Sequence, residues 1–228
     1  MVTLLTFIKL SGTISKFCVT NSLIHSYNIG NLSELQSQSL ITLLPKPEKD
    51  TSFIKNWRPI SLLNTDYKIA TKSIANRIKP ILPSIINNTQ TGFIKDRYIG
   101  ENVRILEDLL DYVEEENLPC LLFFSDFEKA FDSIDHSYLL DVLHHFNFGD
   151  SFIQWIKVFY KNASSSVLNN GYMTEGFQIE RGVRQGCPLS PYLFILGIEL
   201  LSLEVSRNSD IKGIHMHNLE IKKYIICR

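Results

Sequence analysis

Several features are scarce or missing in these 228 residues, and each shortage removes a class of protein. There are four cysteines, Cys18, Cys120, Cys187 and Cys227, far apart and with no C-x-x-C pair. That spacing indicates neither a zinc site nor a disulfide framework, and it favours a reducing, intracellular compartment. No stretch approaches the ~18 uninterrupted apolar residues of a membrane span, so no membrane partner is expected. The apolar run at residues 1–10 has no basic leading region, is interrupted by Lys9 and precedes no small-residue cleavage site, unlike a secretory signal. Internal repeats and low-complexity tracts are absent too.

What is present is a globular composition, 44% hydrophobic and 21% charged, enough for one core or two small lobes sharing one. The net charge of −1 conceals a strong asymmetry. Residues 45–104 hold eleven Lys/Arg against five Asp/Glu, a net of +6, whereas residues 105–150 hold one Lys against twelve Asp/Glu, a net of −11. A basic surface for an anionic partner next to an acidic region able to hold cations is one reading. For Glu114, Glu115 and Glu116, a solvated helix face is the better one.

The hydrophobic pattern alternates between strand and helix periods. Ser39–Leu44 reads as a strand stopped by Pro45 and Pro47, the polar stretch Lys46–Asn56 as a loop, and Trp57–Leu63 as extended. Ala70, Ile74, Ile78 and Ile81 recur at three- and four-residue steps, the inner face of a helix. A second helix over roughly 100–116 would bury Val103, Leu106, Leu109 or Leu110, and Val113. Cys120–Ser125 is a continuous apolar run, the pattern of a strand buried on both faces. Asp135 can cap one helix, and Asp150 or Ser151 another. Asn169-Asn170-Gly171 marks a hairpin, Pro188 suits the first turn of a long helix to about Glu204, and Ile211–Ile226 offers a further hairpin. The sum is an α+β fold, a sheet with packed helices.

Three segments carry chemistry. In FFSDFEKAFD, residues 123–132, Asp126 follows directly on the apolar run, where a carboxylate needs a partner such as a divalent cation; capping a strand-end turn is the plain alternative. In RGVRQGCPLSP, residues 181–191, Arg181, Arg184 and Gln185 stand at the mouth of a glycine turn before a Pro-started helix, and Gly186 allows close approach of a ligand. In residues 46–61, Lys and Arg side chains on a loop can meet phosphates, Arg58 bidentately, or simply be solvated.

In this order and spacing the segments resemble the reverse transcriptases of LINE-type (non-LTR) retrotransposons. The matching stretches are NWRPISLLNTDYKIATKSIANRI (56–78), QTGFIKDRYIGENVR (90–104), SDFEKAFDSIDH (125–136) and RQGCPLSPYLF (184–194). The resemblance implies a right-hand polymerase: an N-terminal extension at 1–30, fingers at 31–118 and a partial palm at 119–228, with an antiparallel sheet and packed helices. Its reaction would be RNA-templated DNA synthesis, with an RNA template, a DNA primer and deoxynucleoside triphosphates as partners and Mg2+ as cofactor.

Carried over by position, Asp126 becomes the first metal-binding carboxylate, and Phe127 offers its backbone carbonyl to a second metal. Phe131 becomes the aromatic gate against a 2′-hydroxyl, or a core phenylalanine, or both. Arg58 holds the triphosphate with one of Lys46, Lys49 or Lys55, while Gln185 and Gly186 line the nucleotide pocket. Lys68, Lys72, Arg97 and Arg104 contact the template backbone, helped by Arg77, Lys79 and Lys95. Asp132 and Asp135 are expected to be structural. A nuclear site of action is what the family implies. The aromatic-Ala-Asp-Asp strand of the family has no counterpart, since no Asp-Asp pair occurs in the chain. The expectation is therefore a piece truncated before that motif and inactive alone, with a catalytically dead nucleic-acid binder as the alternative.

Overall fold

The computed structural model describes residues 12–222, apart from 128, 217 and 218. Helix α1 (Gly12–Ile29) leads to a one-turn helix α2 (Glu34–Ser37). Ser33 starts α2 with a capping box: its Oγ accepts from the Gln36 N–H, and its own N–H donates to Gln36 Oε1, both at 3.3 Å. Strand β1 (Gln38–Pro45), a short 3-10 turn (Ile54–Asn56) and β2 (Trp57–Leu63) follow. Next come α3 (Thr65–Ile78), α4 (Leu82–Ile85), α5 (Ile99–Glu115), α6 (Ala130–Ser133), α7 (His136–His145) and α8 (Asp150–Tyr160). The chain continues through β3 (Ser164–Asn169), β4 (Tyr172–Met173), β5 (Phe177–Gln178), α9 (Ser190–Arg207), β6 (Ile214–Met216) and β7 (Leu219–Ile221).

The main sheet runs β2-β1-β3-β4, with β5 also on β3. Its pairs are antiparallel except β1 with β3, which lie parallel with Gln38 opposite Ser164 and Thr42 opposite Leu168. A parallel pair requires a long crossover, and here α3 to α8 supply it. Pro59, which has no N–H to give a ladder, sits in β2 at the end of the strand order. The β3–β4 turn takes Asn170 and Gly171 to φ 49° and 80°, the left-handed pair a tight hairpin needs. The result is a mixed α/β fold, with a mainly antiparallel sheet and packed helices.

The core lies where α3, α7, α8 and α9 meet, around Tyr67, Leu139, Leu143, Ile156, Phe159, Leu193 and Leu196. The Tyr67 ring meets Phe159 edge-on at 5.4 Å, and Trp155 stacks on Phe159 and meets Tyr27 of α1 at a tilt, centroids 5.0 Å apart. Helix α1 is thus tied into the fold at Tyr27 and Leu23. No helix of the described residues is long and apolar enough to cross a membrane.

Several elements depart from the sequence reading. Residues 119–127 form no helix or strand, and Leu121, Phe123 and Phe124 are 90%, 85% and 76% exposed. An apolar run expresses a preference for extended backbone, but burial also needs a partner strand, and none among the described residues pairs with it. Helix α5 buries Leu109 and Asn102 and half-buries Leu106 and Val113, while Val103 and Leu110 stay exposed, so its inner face is centred on Leu109 and lacks Val103. Ile81 lies outside α3 and is exposed. Gly149 holds the N-cap position of α8, leaving Asp150 as its first residue. Helix α9 begins at Ser190 with Pro191, not Pro188, in its first turn. Residues 223–226 of the expected last hairpin fall outside the described set, while β6 and β7 form its first part.

Candidate active site

The centre of the site is a turn and a loop locked backbone to backbone. Residues 129–135 form the turn, with Lys129 at φ 51° before the single-turn α6. The 181–187 loop lies on it: the Val183 N–H donates to the Phe131 carbonyl at 2.6 Å, and the Gly182 N–H to Ile134 O at 2.7 Å. Contact is so close that a Cβ at Gly182 would fall 2.7 Å from the Asp132 Cα, and its φ of 85° also demands glycine. The His136 ring bonds the Gly182 carbonyl at 2.9 Å and rests on the Tyr160 ring. At the far end, a Cβ on Gly186 would stand 3.0 Å from the Ser61 carbonyl, so this loop also abuts β2.

The lock brings together four of the positions singled out in the sequence. Phe131 is half-buried, stacked on Phe194 of α9 with centroids 4.7 Å apart. Gln185 Nε2 donates to Asp132 Oδ1 at 3.4 Å, a side-chain bond across the seam between loop and turn. Gly186 touches β2, the strand that carries Arg58 three residues before Ser61. Arg58 itself is exposed, opposite Leu44 in the ladder.

Among the loop lysines, Lys46 Nζ already donates to the Lys55 carbonyl at 2.8 Å, and Lys55 lies over the Phe53 ring, while Lys49 is exposed. Asp50 orders the same loop by accepting from the Ser52 N–H at 2.9 Å, a bond that holds its carboxyl below the usual range. Asp135 does cap α7, accepting from the Ser137 and Tyr138 amides at 2.8 and 3.3 Å. The Ser137 hydroxyl and these amides lower its pKa, with Arg181 at 3.9 Å adding a little.

Other residues fall elsewhere than the sequence suggests. Arg184 is buried rather than at the mouth. Its Nη2 donates to the Ser37 and Ser164 carbonyls at the starts of β1 and β3, and its guanidinium lies 5.0 Å from the Tyr67 ring centroid. Burial pushes the Tyr67 phenol well above its ordinary value, the Arg184 charge opposing this only in part, and Tyr160 moves the same way.

Arg97 is also occupied within the fold. Nη1 donates to Asn87 O and Gln90 O at 2.6 and 2.7 Å, and Nη2 to Pro83 O, Ile86 O and Asn88 Oδ1 at 3.0–3.3 Å. Lys72 and Arg104 are exposed and Lys68 half-buried. One residue passed over in the sequence is Phe93, at φ 58° and edge-on to Phe131 with centroids 6.5 Å apart. A bulky residue in that region costs of order 1–3 kcal/mol. The signal for it was Gly92-Phe93, an aromatic set within a polar turn.

Asp126 and Phe127 lie in the exposed 119–127 segment, five and four residues before Phe131. Chain length alone keeps Asp126 within about 18 Å of Phe131. Among the described residues, no group of three His, Cys, Asp or Glu could hold a metal ion, so they do not by themselves build a Mg2+ site.

Comparison with known proteins gives the family. The family described as "Reverse transcriptase (RNA-dependent DNA polymerase)" matches residues 44–218, which include every residue of the loop-and-turn cluster. Its class is that of nucleic-acid polymerases. Within that class the chain belongs to the reverse transcriptase family, on the LINE-type (non-LTR) retrotransposon branch.

An uncharacterised 149 kDa protein of transposon TX1 from Xenopus laevis is 40% identical over 177 residues, covering 78% of this chain and 14% of that protein. The Pol polyprotein of the type-2 retrotransposable element R2DM from Drosophila melanogaster is 30% identical over 149 residues, covering 64% and 14%. The RNA-directed DNA polymerase of mobile element jockey from Drosophila funebris is 28% identical, covering 73% and 18%. The chain thus spans about a seventh of the length of the first two.

Proposed function

We propose that this chain supplies the fingers (31–118) and part of the palm (119–228) of a reverse transcriptase that copies an RNA template from a DNA primer using deoxynucleoside triphosphates. The observation that carries this reading is the lock between the 181–187 loop, the 129–135 turn and β2. It gathers Phe131, Gln185 and Gly186 beside the strand bearing Arg58. In this reading the Arg58 guanidinium binds the triphosphate, aided by the exposed Lys49. Gln185 and the bare backbone at Gly186 accept the base and sugar of the nucleotide, and the Phe131 ring, backed by Phe194, closes the space beside its 2′ carbon.

Lys68 and Lys72, four residues apart on one face of α3, and Arg104 on α5 meet backbone phosphates. A bound Mg2+ would supply charge at the reacting phosphate; Asp126 and the Phe127 carbonyl are the groups of this chain assigned to it. Asp126 is one carboxylate, and the 228 residues hold no Asp-Asp pair. We therefore assign the isolated chain hybrid binding without nucleotide incorporation.

Fluorescence anisotropy with a labelled RNA–DNA hybrid tests this. Binding should weaken steeply with salt, and Lys68→Gln with Lys72→Gln should flatten the log–log salt dependence by about 1–2. Absence of hybrid binding at low salt overturns the polymerase reading. Primer extension by the isolated chain that vanishes in Asp126→Ala overturns the inactive assignment alone.

A further inference from the structure

We propose that Phe93 is a base-stacking residue whose ring receives a nucleobase of the single-stranded template beside the Phe131–Gln185–Gly186 cluster. The inference rests on the polymerase reading above and adds to it a contact on the template side.

A single exposed phenylalanine is ordinary on a protein surface. Phe93 differs in how it is held. Its neighbours Gln90, Thr91 and Ile94 are buried, yet its own ring is 45% exposed. Its backbone occupies φ 58°, a region bulky side chains avoid. The frame that imposes this conformation is explicit. Arg97 ties together the carbonyls of Pro83, Ile86, Asn87 and Gln90, and Asn102 Nδ2 donates to the Thr89 carbonyl at 2.7 Å and to Thr91 Oγ1 at 3.3 Å. So braced, the loop presents the ring edge-on to Phe131, at an interplanar angle of 85°.

A fixed aromatic ring with an open surface suits base stacking, which tolerates any sequence because every base has a π-face. The template, rather than the incoming nucleotide, is favoured by what surrounds the ring in the chain. Lys95 and Arg104 in the same segment are exposed, and the Lys95–Asp96 ion pair at 3.5 Å is a surface pair that a phosphate can replace. Arg97, with its guanidinium spent on carbonyls, acts as a positioning residue for Phe93 instead of a phosphate contact.

The test uses the full chain and an RNA–DNA hybrid carrying 2-aminopurine at the first unpaired template position, with a dye on the distal duplex end. Anisotropy reports binding and 2-aminopurine fluorescence reports stacking. The wild-type chain should change the 2-aminopurine signal on binding. Phe93→Leu, equally strained and similar in size but without a π-face, should remove most of that change and weaken binding about fivefold or more, while Phe93→Trp should restore both. A Phe93→Leu variant that binds and keeps the signal overturns the inference while leaving the polymerase reading intact. Failure of the wild-type chain to bind the hybrid overturns that reading and this inference with it.

Discussion

Two segments meet the 129–135 turn, and they are held in opposite ways. The 181–187 loop is polar and glycine-bearing, yet it is pinned by backbone hydrogen bonds at both Phe131 and Ile134, by His136 and by the buried Arg184. The 119–127 segment is one of the most apolar stretches of the chain, yet Leu121, Phe123 and Phe124 stand in solvent and no described strand pairs with it. Hydrophobicity alone does not decide which segment is held. Complementary backbone partners do, because an extended chain without them leaves its amides to water and its side chains with nothing to cover them.

The sharpest way to break this comparison is a matched pair of truncations. Phe194→Ala removes a side chain 4% exposed beneath Phe131 and should cost about 3–5 kcal/mol in urea unfolding, whereas Phe123→Ala, at 85% exposed, should stay within about 0.5 kcal/mol. An equal loss in both would mean that the 119–127 segment is packed in solution. Gly182→Ala comes next. With backbone atoms in its way and φ at 85°, it should cost about 2–3 kcal/mol and be rescued by no rotamer change, measured by the same unfolding curves.

Arg97→Ala should cost about 2 kcal/mol and raise protease cleavage within residues 83–97; cleavage unchanged from wild type would show that the clamp is not what holds this loop. The smallest effect is the Asp135 cap. Its folded pKa is depressed, so its contribution is fully present above the ordinary carboxylate value and disappears as pH falls through the lowered one. The difference in urea midpoint between wild type and Asp135→Asn should be constant near neutrality and shrink in acid; a difference growing below pH ~4 contradicts the capping role.

Much of this was legible in the sequence, and the exceptions have physical causes. β1, β2 and α3 follow from β-forming residues, proline stops and helical spacing, and the Asp135 cap from a single side chain reaching two amides. The close approach of Gly182 and Gly186 agrees with glycine in a turn before a helix. Arg184 is buried where charge alone reads as surface, and only the fold reveals the carbonyls that Arg184 and Arg97 bond. Phe93 was missed because its significance lies in a backbone angle and a ring neighbour 38 positions away. The 120–125 run stays exposed, as does Val103 of α5, because an apolar pattern names an inner face without guaranteeing an opposing surface.

The hydrogen on the Gly182 Cα sets the thickness of the seam between the 181–187 loop and the 129–135 turn. Since even a methyl group there would wedge apart the chain at Phe131 and Asp132, the Phe131 ring and the Gln185 side chain are geared to each other through bare peptide. A shift of one segment must carry the other, and position 182 offers variation no gentle steps, only the smallest residue or a reopened joint.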